Sequence, residues 1–425
     1  MQLIFIELNE LNFEYAEKYF DILNIDTIKK IKKEIILTNS ENSYELLEPW
    51  IQWHSIHTGL SAQEHKVFRL GDAINSKKTQ IFEELERLKL KVGSISSMNA
   101  INRLENPSYF IPDPWTDTKS DNSFFSKIIT KVLKDTVNNN ASGKISLVNY
   151  FYIILILLKF VRVKKYIFFI KYLFSSLSKK WRKALFLDLL IHEIHLNLLK
   201  KHKPNFSCVF FNAGAHIQHH YLLNSLANSS NIKNPKNILS NKEDPFKDML
   251  LVYDDILRDY LEIGKNMILA TGLTQSINLN PEYYYRLIDH ENFLKKINIE
   301  FTNVEPRMSR DFLVKFSDND SRDKAYQILK KIRMNNELFF GVLDLRNQSI
   351  FITLTYNKEI MLNDTIEIDN KKFKIFDQVV FVALKNGYHE GKGFLFTSGK
   401  IQKEFENIRN IKIQDIKNKI KNFFI

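Results

Sequence analysis

Residues 48 to 72 read Glu48-Pro49-Trp50-Ile51-Gln52-Trp53-His54-Ser55-Ile56-His57-Thr58-Gly59, then Leu60-Ser61-Ala62-Gln63-Glu64-His65-Lys66-Val67-Phe68-Arg69-Leu70-Gly71-Asp72. Pro49 suits the first turn of a helix, where its missing N–H has no partner to lose, and Thr58-Gly59 reads as the same helix stopping at a left-handed glycine. The spacing therefore predicts a short helix over 50–58. Its N-terminus gathers free N–H groups and positive potential, which suits an anion such as a phosphate or sulfate oxygen.

Working outward from this helix, residues 2–8 read as a strand and Asn12 as the cap of a helix from Phe13 to about Asn24. A helix-strand pair covers Thr27–Leu37, and a helix at 78–89 leads into a strand at 91–97. The order βαβαβ predicts an α/β fold with a doubly wound, mostly parallel sheet, which binds ligands outside the carboxyl ends of its strands. Residues 98–143 lose periodicity and end in the polar run 138–143, read as a solvated connection. A strand at 205–211, an Asn- and Ser-rich loop at 224–244, a helix opened by Pro245 and a strand at 266–270 resume the sheet. From Glu300 to Ser398 the chain is strand-rich with one helix near 321–333, and 401–425 reads as a Lys-rich amphipathic helix or pair of helices. The expected organisation is residues 1–100 as the first half of the core, 101–203 as a helical insertion or cap, 204–400 as the second half with the strand-rich part, and 401–425 as a basic terminal helix.

The 425 residues are 44% hydrophobic, which excludes a disordered chain and allows a substantial core. One cysteine, Cys208, excludes an intramolecular disulfide and a cysteine-based metal site. The start Met1-Gln2-Leu3-Ile4-Phe5-Ile6 reads directly as a strand and not as a signal peptide, so a cytoplasmic location is expected. Of the formal charge of +12, a surplus of +11 falls within residues 144–203, where Asp188 and Glu193 are the only acids. Outside that segment the chain is nearly neutral, and with no recognisable binding motif a nucleic-acid partner is not expected. Within it, the apolar run 147–161 is too short to span a bilayer and is followed by Arg162, Lys164, Lys165 and an aromatic run 166–170. That pattern fits either helices lying on an anionic membrane surface or a helical cap with basic outer faces.

The helix closing in Thr58-Gly59, followed by Glu64-His65, resembles the nucleophile helix of the alkaline phosphatase superfamily, in its type I phosphodiesterase, nucleotide pyrophosphatase and sulfatase-like branches. The resemblance covers most of the chain as an order of elements, through four short patches. It puts the family's nucleophile at Pro49, nine residues before Thr58, so it implies no covalent hydroxyl nucleophile here. It puts metal ligands at Glu7, Asn212, His216 and, in Gly387-Tyr388-His389, at His389, while Thr271-Gly272 stands where the family has Asp-His. The resemblance implies one divalent metal, Zn or Mn, in place of a dinuclear centre.

The residues alone leave alternatives open. Glu7 and Glu48 are equally a strand-end acid and a capping acid. His216, His219 and His220 share one helix face, suited to metal or anion binding or to a structural cluster. His54 and His57 lie three apart on the organising helix and fit general acid–base work. Arg307 and Arg310 fit a phosphate clamp or ordinary ion pairs, and Trp50, Trp53 and Trp115 fit sugar stacking or core packing. Together with the resemblance, the expected function is a hydrolase or transferase acting on a phosphoryl, phosphodiester or sulfuryl group of a glycan or lipid-linked saccharide at the inner membrane face. Glu48 or His57 is then the base, and Arg307, Arg310, His219 and His220 bind substrate. The alternative is a catalytically degenerate member that binds a phosphorylated or glycan ligand, or a protein partner.

Overall fold

The computed structural model describes residues 1–425 apart from 42, 139–146, 237, 308, 309, 369 and 370. The chain divides into two compact units, one comprising residues 1–135, 145–279 and 386–425 and the other built on Asn280–Lys385.

The first unit is organised on an eight-stranded sheet. Its strands are β1 (Leu3–Leu8), β2 (Ile36–Asn39), β3 (Val92–Ile95), β4 (Tyr109–Ile111), β5 (Phe206–Phe211) and β6 (Asn266–Ala270), with Lys392–Ser398 and Asn410–Lys412 added late in the chain. β1 is central and parallel to β5 and β6, with Glu7 opposite Phe210 and Ala270. Strand Lys392–Ser398 runs antiparallel between β6 and β2, and Asn410–Lys412 lies parallel outside β2. The sheet is thus mixed α/β and mostly parallel, as the alternation of elements implied.

Helices cover both faces. In chain order they are α1 (Phe13–Ala16), α2 (Asp26–Lys33), α3 (Pro49–Thr58), α4 (Ala62–His65), α5 (Ile81–Arg87), α6 (Phe124–Asn138), α7 (Leu147–Phe160), α8 (Tyr166–Ser178), α9 (Arg182–His202), α10 (Ala213–Tyr221) and α11 (Pro245–Glu262). Because side chains alternate along a strand, Leu3 and Phe5 face Trp53, Ile56 and Phe82 of α3 and α5, while Ile4, Ile6 and Leu8 face the layer that contains α9 and α11. Helix α3 is buried along almost its whole length and closes at Gly59 with φ +69°. Burial at His54 and His65 disfavours the charged imidazole. His54 is pushed by burial, aided by His65 and His57, to about 3, and burial pushes His65 to about 4.

A depressed histidine pKa gives stability that is complete above the unfolded value near 6.5 and is lost as pH falls toward the folded value. The melting temperature is therefore expected to hold above about pH 7 and to fall steadily from pH 6.5 to 4, with His54 alone contributing on the order of 3–5 kcal/mol. A melting temperature flat across that window would contradict a neutral, buried His54.

Several boundaries differ from the sequence expectation. The helix expected over 13–24 is α1 followed by a 3-10 turn Glu17–Tyr19, because Phe20 to Asn24 carry no continuing helical pattern of hydrogen bonds. The aperiodic stretch after residue 98 contains β4, whose short apolar run is hidden between turn-rich flanks, and the amphipathic α6. Residues 139–143 of the expected polar connection lie outside the described residues. The C-terminal segment is not helix alone: its strand Asn410–Lys412 extends the main sheet before the helix Asp415–Asn422. Of the stretch 101–203, residues 101–135 and 145–203 fall in the same unit as the sheet, and the later strand-rich part forms the other unit.

That second unit carries the antiparallel strands Asn303–Pro306, Asp311–Lys315, Phe340–Arg346 and Ser349–Leu354, with helices His290–Lys296 and Asn319–Leu329. It has its own core around Phe293, Phe312, Phe339 and Phe340.

Candidate metal centre

Beyond the end of β1 the chain turns sharply at Asn9-Glu10. Glu10 adopts φ +60°, a left-handed conformation that side chains other than glycine hold at a cost of about 1–3 kcal/mol unless their surroundings fix it. Its surroundings do. The Glu10 N–H donates to the Thr271 carbonyl at 3.0 Å, and the Glu10 carbonyl accepts from Gln218 Nε2 at 2.8 Å. Asn9 is fixed as well, accepting from Trp53 Nε1 at 2.7 Å and donating to Asn212 Oδ1 at 2.8 Å.

The Glu10 carboxylate meets two imidazoles. Its Oε2 lies 3.1 Å from His219 Nε2 and 3.2 Å from His389 Nε2, and the two nitrogens are 3.3 Å apart. His219 comes from α10 at the end of β5; His389 comes from the segment that leads into Lys392–Ser398. Gln275 Nε2 also donates to Glu10 Oε2, and Asn9 Nδ2 donates to Oε1 at 3.2 Å. Burial opposes charge on Glu10, but the facing His389 and His219 outweigh it and hold the carboxyl well below the usual carboxylate range. Behind His389, its Nδ1 lies 3.6 Å from Glu48 Oε2, so a second carboxylate backs the ring on the side away from Glu10.

This donor set fits a divalent metal. Four ligands at about 2.0–2.1 Å around Zn stand about 3.3 Å from one another at the corners of a tetrahedron, and the three separations here are 3.1, 3.2 and 3.3 Å. Three protein ligands leave one position open, the pattern of a reactive site and not of a closed structural one. A carboxylate behind a ligating histidine and amides on a ligating carboxylate are the usual outer supports of such a centre.

Three of the four metal ligands expected from the sequence, Glu7, Asn212 and His216, lie outside this triangle. Glu7 is fully buried on the α3 side of β1 and pairs through Oε1 with His57 Nε2; strand alternation turns it away from the strand end, and Glu10, two residues past β1, supplies the carboxylate. His57 is consequently an interior partner of Glu7 and not a base at the centre. His216 meets His220 edge to face at 4.6 Å between ring centroids, one helical turn apart, whereas His219 is rotated toward His389 at 5.1 Å. Burial, with His219 nearby, pushes His216 to about 4, and burial pushes His220 well below the histidine range, so both are neutral. Asn212 contributes its carbonyl oxygen to Asn9 and so steadies the loop. His389 alone of the expected ligands joins the centre directly, and Glu48 stands behind it.

Thr271 and Gly272 hold the strands together. Thr271 Oγ1 accepts from the Phe394 N–H at 2.9 Å, and the Gly272 carbonyl accepts from Ser40 Oγ at 2.8 Å. Gly272 has φ +72° and lies so close to the Trp53 ring that a β-carbon would stand 3.1 Å from it. That contact also makes Trp53 a core residue. In the second unit, Arg307 pairs with Glu305 at 3.2 Å and Arg310 lies over the Tyr284 ring at 4.0 Å. The signal for Glu10 was present in Glu7-Leu8-Asn9-Glu10: of two acids three apart, the one beyond the last strand residue is free to face the ligand side.

No protein-family model matches the chain, and no curated protein matches it. Among solved structures it is similar to murine ectonucleotide pyrophosphatase/phosphodiesterase 5, with 10% identity and a TM-score of 0.42 over 100% of this chain and 95% of that one. It is also similar to phosphonoacetate hydrolase from Sinorhizobium meliloti, with 10% identity and a TM-score of 0.43 over 99% and 95%. A third is a TAB5 alkaline phosphatase variant with bound Mg, with 10% identity and a TM-score of 0.42 over 99% and 96%. These are alkaline phosphatase superfamily structures. The likeness is one of fold, and at such identities and TM-scores it carries no argument about activity, which has to come from the residues.

Proposed function

We propose that the chain is a mononuclear metal-dependent hydrolase or transferase of phosphoryl, phosphodiester or sulfuryl groups. The observation that carries this reading is the convergence of Glu10, His219 and His389 at the carboxyl end of the sheet, with ligand separations of 3.1–3.3 Å. Bound there, a divalent ion such as Zn or Mn would supply Lewis-acid stabilisation of charge on a phosphoryl or sulfuryl oxygen. The chain's own groups do the rest. Glu10 carries the negative charge of the ligand set, held by Gln275 and Asn9. His219 and His389 turn their Nε2 atoms to the centre, and the negative charge of Glu48, 3.6 Å from His389 Nδ1, favours a proton on that nitrogen. Pro49 opens α3 beside Glu48 and offers no hydroxyl, so the acceptor is water or a substrate hydroxyl attacking directly. The finer proposal is a glycan or lipid-linked saccharide substrate at the cytoplasmic membrane face.

A second reading, a site that binds a phosphorylated or glycan ligand without turning it over, is favoured by Thr271 and Gly272, which serve strand contacts where a second set of ligands would be needed. One assay separates the two. Protein loaded with Zn or Mn is offered a nitrophenyl phosphate monoester, a diester and a sulfate. Turnover of at least one, lowered on the order of 100-fold or more in His389→Ala, supports the enzyme. Stoichiometric metal with no turnover of any of the three supports the binding reading.

A further inference from the structure

Helices α7 and α8 carry their apolar residues on the wrong side for a surface surrounded by water. α7 turns Asn149, Ile156 and Phe160 inward, and α8 turns Phe169 and Ser176 inward. Outward, α7 presents Val148, Phe151, Ile154 and Leu158, and α8 presents Ile167, Ile170, Phe174 and Leu177. Each set repeats every three or four residues and so forms one continuous stripe. These side chains are exposed in earnest: Leu158 is 63%, Phe174 68% and Leu177 72% accessible. Both helices contact α9, which leaves their stripes on the side away from it. Apolar surface of this extent marks a docking face.

Charge identifies what docks. From Leu147 to Lys183 there are nine Lys and Arg and no Asp or Glu. Arg162 and Lys165, at the turn between the helices, are spent on Glu193 of α9 and Asp259 of α11, which fixes the hairpin to the core. Lys164, Lys171 and Lys180 are exposed and have no ion pair among the described residues. Helices of 14 and 13 residues reach about 20 Å, short of the roughly 30 Å hydrocarbon core. No helix among the described residues is long and apolar enough to cross a membrane. Short helices with an apolar outer stripe, unpaired lysines and no acids match an anionic bilayer and do not match a protein partner that would need compensating acids and bases.

We infer that α7 and α8 form a docking surface for an anionic lipid bilayer, with the two apolar stripes at the boundary of headgroups and acyl chains and the lysines on lipid phosphates. The lysine-rich end of the surface adjoins the metal centre's own helix. Trp181, between Lys179–Lys180 and Lys183, packs on Tyr221 at the end of α10 at 5.9 Å between rings, and α10 carries His219. The surface stands on its own residues and is independent of whether the centre turns over a substrate.

The test is co-sedimentation of the full chain with vesicles of phosphatidylcholine alone and of an equal mixture with phosphatidylglycerol, at low and high salt. The expected result is binding to the mixed vesicles, weaker on the order of 100-fold on neutral ones, as three lysines near an anionic surface give. A double variant Ile167→Ser, Phe174→Ser changes two exposed side chains and should keep the fold by circular dichroism while losing at least about tenfold in vesicle affinity. Glu10→Gln should bind vesicles as the unmodified chain does, so a failed metal centre and a failed membrane surface give different results. No sedimentation with the mixed vesicles at low salt overturns the inference, as does a double variant that binds undiminished. A concentration-dependent dimer that the double variant dissolves, without vesicle binding, overturns it in favour of a second copy of the chain.

Discussion

His219→Ala is expected to weaken Zn or Mn binding by on the order of 100-fold or more and to remove any turnover with it, while His216→Ala, three residues away, leaves metal affinity within a few-fold. Losing a direct ligand costs at least what the loss of an outer support costs, and outer supports alone are worth 10- to 100-fold. The contrast is the informative part, because both histidines lie on α10 and both are partly covered. His219 Nε2 is 3.1 Å from Glu10 and 3.3 Å from His389 Nε2, whereas His216 meets His220 edge to face and is held neutral by burial. Isothermal titration with Zn on both variants reads the difference. Equal losses in the two variants would mean that the whole histidine face, and not the Glu10–His219–His389 triangle, binds the ion.

Glu193→Ala is expected to lower the stability of the fold by about 3 kcal/mol, read as an earlier midpoint in urea. Glu193 is 1% exposed and accepts three hydrogen bonds from the Arg162 guanidinium, one from the Arg162 backbone N–H and an ion pair from Lys165. Removing it leaves two cations facing Asp259 alone. Arg162 keeps about a third of its side chain in water, 32%, so the loss belongs at the lower end of the range for a broken buried pair. Because the same network ties the α7–α8 turn to α9 and α11, Glu193→Ala should also speed hydrogen exchange in α7 and α8 before the rest of the first unit. An unchanged midpoint together with unchanged exchange would show that the apolar contacts of the hairpin hold it without the ions.

Much of the fold was legible because its signals are local. Pro49 and Gly59 bracket α3, and the alternation of short apolar runs with amphipathic segments marks β1, β5 and β6. β4 and Asn410–Lys412 were not legible, since a three-residue edge strand owes its pairing to neighbours distant in sequence. The candidate site was legible only in part. His389 and the region after β5 could be found, but the choice between Glu7 and Glu10 depends on which side of β1 each residue faces, and that requires the strand's end to be known to the residue. The choice among His216, His219 and His220 depends on a rotation of about 100° per residue about α10 relative to a partner from a remote part of the chain. Spacing within one turn does not contain that information. His54 and His57 illustrate the opposite trap: two imidazoles on the organising helix read as acid–base groups, yet α3 is a buried element and its histidines are interior.

The central claim is that Glu10, His219 and His389 hold one divalent ion. Elemental analysis of the purified full chain, dialysed against a dilute excess of Zn and then against buffer, measures it directly, with Glu10→Gln and His389→Ala prepared alongside. About one Zn per chain, falling to near zero in both variants while their circular dichroism is unchanged, is the predicted result. A chain that retains no metal, or variants that retain it as fully as the unmodified protein, would contradict the account.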